Sequence, residues 1–276
     1  RRVLGKRLVD GSEMASPIDQ VFYPLLHHHQ PDGLAYHASS TGISAHSNRE
    51  AAISGALLEL IERDAIAVTW YGKVTPPRIP EWSWPSEIRA RISALRHFAK
   101  REVVFCNLQL DSVPVIFCAV TGPTYPHFAT GTSSHWNAAI AMHKALDEAE
   151  LLFHSHRRLP IRKRAMESVD VRGVIDHARL WANKAMFDEI AWMLEGPEQI
   201  VTECTLTMDD LVRRFDPAVI DLNLDSNEPL EVVRVVSKHL MPITFGYGGE
   251  HYRHPRLDVL GFRWGWNYPA LPHCLA

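Results

Sequence analysis

The clearest hydrophobic pattern in the chain predicts a helix over residues 48–71. Ser47 and Glu50 stand three positions apart, which is the spacing of a capping box, so we predict that Ser47 begins this helix. Apolar side chains recur at the helical period and form one broad face, comprising Ile53, Leu57, Leu60 and Val68.

The opposite face of this helix has a charge cluster, Glu59, Glu62 and Arg63, beside the small residues Ala52 and Gly55. One interpretation is a solvated face with a Glu59–Arg63 pair, worth a few tenths of a kcal/mol. The other is a pair of carboxylates one turn apart. Such oxygen ligands suit Mg²⁺, which proteins usually hold with one or two carboxylates together with phosphate oxygens.

The rest of the pattern predicts a mixed α/β fold with partly antiparallel sheets flanked by helices. We find no internal repeat along the chain. Strands are expected over residues 21–26, 102–110, 113–122, 218–224 and 230–237. Further helices are expected over residues 86–101 and 137–156 and in two stretches within 169–195.

Composition narrows the possible functions. The chain has 276 residues, 46% of them hydrophobic, and a net charge of −3, so we expect one domain over 1–276 and no broad attraction to nucleic acid. No apolar run is long enough to span a membrane. Cys106 and Cys118 lie in apolar runs and predict buried thiols, which favours a reducing cytoplasm. The chain lacks an initiating Met, which suggests a fragment or a processed protein.

The segment HASSTGISAHSNREAAISGALLELIERDA, residues 37–65, resembles the signature of the YcaO family. In that family, a Ser/Asn-Gly-x-Ala loop leads into a helix that ends Glu-x-x-Glu-Arg-Asp. The matching residues are Ser40, Thr41 and Gly42 in the loop and Glu59, Glu62, Arg63 and Asp64 in the helix.

Three later segments also resemble this family, and the last two along the chain resemble in particular its azole-forming, SagD-like branch. The chain end, NYPALPHCLA, is similar to the proline-rich terminus of that branch, although Cys274 stands where a proline is expected. The other matching residues are Gly131, His135, Ala145, Leu146 and Glu148 within residues 131–150, and Gly246, Glu250, His254 and Arg256 within residues 242–257.

The resemblance implies a YcaO-type fold and an ATP- and Mg²⁺-dependent cyclodehydratase. Such an enzyme converts Cys, Ser or Thr of a ribosomal precursor peptide to thiazoline or oxazoline by phosphorylating the backbone amide oxygen. It also implies an oligomer, a leader-binding E1-like partner protein and a flavin-dependent dehydrogenase that acts afterwards. The implied Mg²⁺ ligands are Glu59, Glu62 and Glu148. The implied nucleotide contacts are Ser40, Arg63, Glu148 and Arg256, and the implied catalytic group is Glu59, Glu62 and Arg63.

The sequence departs from the family pattern in two places. The region before residue 38 is too short for the acidic helix that usually precedes the Ser-Thr-Gly loop, and Leu151 occupies a position where a Gln is common. The chain is therefore a fragment, a compact active variant or a degenerate scaffold subunit. Thioamide or amidine formation by the same phosphorylation is a further alternative. The histidine run at 27–29 is a weak metal candidate.

Overall fold

The structure, a computed structural model, describes residues 2–22, 39–111, 113–158, 166–223 and 229–275. The histidine run and most of the strand predicted over 21–26 lie outside these ranges, and Val21 is the last residue of a short helix. The strands are β1 Arg2–Arg7, β2 Glu13–Pro17, β3 Ile43–His46, β4 Glu102–Asn107, β5 Val115–Thr121, β6 Phe128–Ser134, β7 Ala218–Asp221 and β8 Glu231–Val236. The helices are α1 Ile18–Val21, α2 Arg49–Tyr71, α3 Ser86–Ala94, α4 Ala138–Arg158, α5 Val174–Trp181, α6 Phe187–Leu194, α7 Met208–Phe215 and α8 Pro255–Val259.

The chain divides into two compact units, and the division falls inside α2. Unit 1 comprises Arg1–Asp64 and Leu206–Thr244, and unit 2 comprises Ala65–Thr205 and Phe245–Ala276. The mixed α/β class with antiparallel sheets is confirmed, whereas a single domain over residues 1–276 stays a prediction.

Unit 1 contains a five-stranded sheet in the order β2-β1-β7-β8-β3, and all its ladders are antiparallel. Strands β1, β2 and β3 escaped prediction because they are short and half-exposed, with charged or small residues between their apolar ones. The predicted strands near 218 and 230 are confirmed as β7 and β8. One face of the sheet buries a cluster of Met14, Val21, Ala218, Ile220 and Val236.

Unit 2 contains the antiparallel sheet β4-β5-β6, with α4 packed against β6. The pairing of β4 with β5 is confirmed, and Cys106 and Cys118 are buried within them. Burial raises the pKa of the Cys106 thiol to about 12, so this thiol stays protonated at neutral pH. Strand β6, sequence FATGTSS, was missed because its buried residues are mostly Thr, Ser, Gly and Ala.

Two helix predictions need correction. The residue that caps α2 is Asn48, whose Oδ1 accepts a hydrogen bond of 2.8 Å from the Ala51 amide, while Ser47 Oγ lies 3.3 Å from His46 Nδ1. The predicted Ser47 capping box is therefore wrong by one residue. The helix expected over residues 86–101 ends at Ala94, and a π turn follows that Lys100 closes at φ 53°.

The buried face of α2 also differs from the predicted one. Ala52, Ala56 and Leu57 are fully buried, whereas Ile53 and Leu60 are half-buried. From Asp64 to Tyr71 every residue of the helix is buried, so the second part of α2 lies in a protein interior on all sides. Within the ranges described, no helix combines the length and apolarity that crossing a bilayer requires.

Candidate functional site

Helix α2 holds the predicted carboxylate pair in a partly shielded position. The side chains of Glu59, Glu62 and Arg63 are 26%, 11% and 17% exposed. Arg63 Nη1 lies 2.9 Å from Glu62 Oε1, and Arg63 Nη2 lies 3.9 Å from Glu59 Oε1. The Glu59–Arg63 pair of the first interpretation is therefore present, but the side chains are too shielded for a solvated surface face. The three groups form a compact charged cluster.

The Ser-Thr-Gly loop is hydrogen-bonded to this cluster. The Gly42 amide donates to Glu59 Oε2 at 3.1 Å. Gly42 has φ +80°, and a Cβ at this position would lie 2.5 Å from the Val235 carbonyl oxygen, so no other residue fits without distortion.

The ionisation of Glu59 is disfavoured in the folded protein. Burial raises the pKa of this carboxyl, and the neighbouring charge of Glu62 adds to the rise, while Arg63 and the Gly42 amide lower it. A carboxylate in this situation gains stability from an added cation, because the cation offsets both the lost hydration and the like charge.

Arg234 was not predicted and lies in the same unit. Its Nη1 donates to the Ser39 carbonyl at 2.7 Å. The next residue, Ser40, is exposed, and its backbone carbonyl accepts from the Ile43 amide at 2.9 Å. The Arg234 side chain is almost fully buried, and burial lowers its pKa to about 10, against the opposing effect of Glu59. Its Nε finds no hydrogen-bond partner among the described residues. A single Arg in the apolar run EVVRVV was the available sequence signal.

Glu148 belongs to unit 2 and is held in a similar way. It lies half-buried on α4, and its Oε2 accepts a 2.6 Å hydrogen bond from the Thr132 amide on β6. Close contact between strand and helix depends on Gly131, because a Cβ there would lie 2.2 Å from the Ala145 carbonyl oxygen. Backbone packing of β6 against α4 therefore fixes the position of Glu148 relative to the strand amides.

Arg256 also lies in unit 2, but in a different environment. Its guanidinium forms a hydrogen-bonded ion pair with Asp111, and both side chains are about 95% buried. The Arg256 amide donates to Nδ1 of His254, the residue that caps α8. A phosphate contact by Arg256 would have to compete with Asp111, so this role stays a prediction.

The last residues that the structure describes are anchored through their backbone. Four consecutive carbonyls, from Leu271 to Cys274, accept hydrogen bonds from side chains of α2, α5 and β6. The donors are Trp70 to Leu271 at 2.8 Å, Trp181 to Pro272 and to His273 at 3.0 Å, His177 to His273 at 2.7 Å, and Thr130 to Cys274 at 2.8 Å.

The chemistry of the donors limits which metal could bind. Among the residues that the structure describes, no three His, Cys, Asp or Glu side chains converge on a point that could hold an ion. Zinc and calcium sites usually need more protein ligands than this. Mg²⁺ needs fewer, because water and phosphate oxygens complete its shell, so paired carboxylates on α2 fit Mg²⁺ bound together with a phosphorylated ligand.

Comparison with known proteins identifies the class. The family model described as YcaO cyclodehydratase, ATP- and Mg²⁺-binding, matches residues 2–240. The chain therefore belongs to the YcaO family, and the resemblance to that family is confirmed, whereas the SagD-like branch stays a prediction. No curated protein sequence matches the chain.

Solved structures show the same fold at low sequence identity. A heterocyclase in complex with substrate and cofactor has a TM-score of 0.70 and 17% identity, over 94% of this chain and 35% of that chain. YcaO from Methanopyrus kandleri, bound with AMPPCP and Mg²⁺, has a TM-score of 0.67 and 20% identity, over 87% of this chain and 64% of that one. The E. coli microcin synthetase McbBCD complex has a TM-score of 0.66 and 14% identity, over 86% and 64%.

These matches confirm the predicted fold, and the family description agrees with the predicted ligands ATP and Mg²⁺. The chain spans about a third of the heterocyclase and less than two thirds of the other two.

Proposed function

We propose that this chain is the ATP- and Mg²⁺-dependent cyclodehydratase component of a peptide-modifying system. It would convert Cys, Ser or Thr residues of a ribosomal precursor peptide to thiazoline or oxazoline. The observation that supports this most directly is the shielded cluster of Glu59, Glu62 and Arg63 beside the Gly42 amide. The neighbouring buried Arg234 supplies a second cation in the same unit.

The proposed reaction overcomes the poor electrophilicity of an amide. The Cys, Ser or Thr side chain loses its proton and adds to the preceding amide carbon. The resulting oxyanion takes the γ-phosphoryl group of ATP and ADP leaves. Expulsion of phosphate, with loss of the amide proton, then closes the double bond of the ring. Phosphoryl transfer depends mainly on positioning and on charge neutralisation.

The residues of the chain have distinct proposed roles. Bound Mg²⁺ would neutralise charge on the triphosphate. Glu59, Glu62 and Glu148 would be Mg²⁺ ligands. Arg63 would turn from its two carboxylates to a phosphate oxygen, since a planar guanidinium can bind two oxygens at once. Arg234, whose Nε has no protein partner among the described residues, is a second phosphate contact.

Ser40 and Arg256 complete the proposed nucleotide contacts. Ser40 is exposed on the loop that Glu59 holds through the Gly42 amide, so a ligand can reach this residue. Arg256 is the weaker proposal because Asp111 already binds its guanidinium.

We further propose that the chain works with other proteins. An E1-like partner would bind the leader of the precursor peptide, and a flavin-dependent dehydrogenase could oxidise the azoline afterwards. The support is a structural neighbour, the E. coli McbBCD complex with pro-MccB17 bound, which has a TM-score of 0.63 and 14% identity to this chain.

The test is ATP turnover by the protein together with its partner and precursor peptide. The peptide should lose the mass of one water for each ring that forms. The double variant Glu59→Gln, Glu62→Gln should lose Mg²⁺-dependent turnover by about 100-fold or more. The matched control is Glu50→Gln, an exposed carboxylate in the first turn of the same helix. Equal turnover in the double variant and the control would refute the assigned metal site.

A non-catalytic scaffold subunit is the second candidate, and one observation favours it. Leu151, on the same helix as Glu148, is 69% exposed where a polar residue would suit a ligand site. Calorimetry with AMPPCP separates the candidates, because a scaffold should show no Mg²⁺-dependent nucleotide binding.

A further inference from the structure

Residues 41–59 and 130–148 have the same sequence pattern at a constant offset. Aligned without gaps, nine of the 19 positions are identical. The shared residues are Thr41/Thr130, Gly42/Gly131, Ser44/Ser133, His46/His135, Asn48/Asn137, Ala52/Ala141, Ala56/Ala145, Leu57/Leu146 and Glu59/Glu148. We name these segments the first copy and the second copy. The expectation that the chain has no internal repeat is therefore wrong.

Both copies fold as a strand, a turn and a helix, and the identical residues make the same turn. Asn48 Oδ1 accepts from the Ala51 amide at 2.8 Å, and Asn137 Oδ1 accepts from the Ile140 amide at 3.1 Å. The backbone amide of each Asn donates to Nδ1 of the histidine two residues earlier, at 3.4 Å in the first copy and 3.0 Å in the second. The turn is thus the same structure built twice, once in each unit.

The shared glutamate makes a similar contact in both copies, with backbone amides that differ by one position. Oε2 of Glu59 accepts from the Gly42 amide, and Oε2 of Glu148 accepts from the Thr132 amide, one position further along the strand. The shared glycines face equivalent helix positions, because a Cβ on Gly42 would meet the Leu60 side chain and a Cβ on Gly131 would meet the Ala149 amide.

The spacing of the shared residues explains this geometry. Six residues of extended chain from the glycine to the asparagine cover about 20 Å. The eleven residues of helix from the asparagine to the glutamate return about 16 Å in the opposite sense. The glutamate therefore comes back to the level of the glycine, where a backbone amide can bind it.

We infer that the two copies are one duplicated carboxylate-positioning element, and that the His-x-Asn turns of both are positioning residues for Glu59 and Glu148. The Asn side chain fixes where the helix begins, and the His ring fixes how the strand enters it. Together they set which helix residue faces the strand amide. The role of these carboxylates in Mg²⁺ binding rests on the proposed function, whereas their placement by the turn does not.

The same substitution in both copies tests this inference. Asn48→Ala and Asn137→Ala should each increase hydrogen exchange at the amide that binds the glutamate of its own copy, Gly42 or Thr132. Each should also raise the Mg²⁺ concentration needed for half-maximal AMPPCP binding by about 10-fold, the lower end of the range for residues that orient a metal ligand. Asn→Asp at either position keeps an oxygen acceptor and should restore both measurements.

Two other caps provide matched controls. Thr207 caps α7 in unit 1, and Asn183 caps a short 3₁₀ turn in unit 2. Thr207→Ala and Asn183→Ala should lower thermal stability without changing exchange at Gly42 or Thr132. If the Asn48 and Asn137 variants behave like these controls, the positioning role is refuted. If the wild-type protein shows no Mg²⁺-dependent binding, the proposed function fails, and the exchange measurement still decides this inference.

Discussion

The first and second copies share the strand, turn and helix but differ one helical turn beyond the shared glutamate. Glu62 and Arg63 follow Glu59, whereas Leu151 and Leu152 occupy the equivalent positions after Glu148. The shared strand, turn and helix therefore place one carboxylate against one backbone amide. Glu62 and Arg63 follow the first copy alone, and they concentrate the charge in unit 1.

The strands that flank the two copies strengthen this difference. Strand β3 pairs with β8, which places Arg234 opposite Ile43, whereas β6 pairs with β5, which places Phe117 opposite Thr132. An arginine and an aromatic side chain thus occupy corresponding neighbouring positions. The comparison shows that the duplicated part is the strand–turn–helix element alone, and that its surroundings determine its chemistry.

The largest expected effect comes from adding a methyl group at the shared glycines. Gly131→Ala would bring a Cβ within 2.2 Å of the Ala145 carbonyl oxygen and 2.5 Å of the Ala149 amide, both of them backbone atoms that cannot turn aside. We expect a loss of about 3 kcal/mol or more in the free energy of unfolding. Gly42→Ala combines a contact at 2.5 Å with a positive φ and should cost a similar amount.

Chemical denaturation of both variants measures these losses. Gly11→Ala is the control, because Gly11 also has a positive φ, +72°, but no atom of the described residues, its chain neighbours aside, lies within 4 Å of the added Cβ. It should cost only about 1 kcal/mol through strain. Equal losses in Gly42→Ala and Gly11→Ala would show that the positive φ alone accounts for the glycine at position 42. Gly131 has no positive φ, so a loss in Gly131→Ala no larger than in Gly11→Ala would contradict the close approach of strand to helix.

The next effect concerns the ion pair of Asp111 with Arg256, the residue predicted to contact phosphate. Asp111→Ala removes this carboxylate from a buried guanidinium that also has other contacts, so it should cost about 3 kcal/mol, the lower end of the range for a broken buried ion pair. The double variant Asp111→Leu, Arg256→Met replaces the pair by apolar groups and should regain most of that loss. Thermal and denaturant unfolding of the single and double variants measures the difference.

These variants also separate a structural role for Arg256 from a ligand role. If the double variant is stable and binds AMPPCP with Mg²⁺ as the wild type does, Arg256 serves the fold alone. If it is stable and binding is lost, the predicted phosphate contact gains support.

Much of this fold could be predicted from hydrophobic periodicity, and the misses have physical causes. Helices α2 and α4 and the β4–β5 pair contain enough apolar residues for their period to be visible. Strands β3 and β6 do not, because a strand that lies close to a helix needs small residues such as Gly131, which carry little β signal.

The site was predicted in the same uneven way. The motif around Glu59 was evident because its charges interrupt an apolar helix. Arg234 was missed because its partner, the Ser39 carbonyl, is distant in sequence and belongs to the backbone. The repeat was missed because its identical residues are spread through segments whose other positions differ. Their common structural role becomes visible only in the matching hydrogen bonds.

A smaller effect is expected at the first shared residue of each copy. Thr130 donates through its hydroxyl to the Cys274 carbonyl at 2.8 Å, so Thr130→Val should leave that carbonyl unsatisfied at a cost of about 1–3 kcal/mol. Hydrogen exchange at the amides of residues 273–275 should then increase, and Thr130→Ser should restore protection. Thr41→Val, the equivalent change in the first copy, should leave this exchange unchanged. Equal exchange in Thr130→Val and the wild type would show that the three ring donors hold residues 271–274 without Thr130.

The smallest effect has the opposite sign and concerns Glu59 itself. Because burial raises the pKa of this carboxyl in the folded protein, its ionisation at neutral pH opposes folding. Glu59→Gln keeps an acceptor for the Gly42 amide and removes the charge, so the variant should be more stable at pH 7, by at most about 2–4 °C in Tm. The advantage should be absent in acid, where Glu59 is protonated in both states. It should grow as the pH rises through the ordinary range of a Glu carboxyl and level off above the raised pKa. Thermal unfolding across this range measures it, with Glu50→Gln on the same helix as control. A variant less stable than the wild type at pH 7 would mean that Arg63 and the Gly42 amide outweigh the burial of the charge, and that Glu59 needs no added cation.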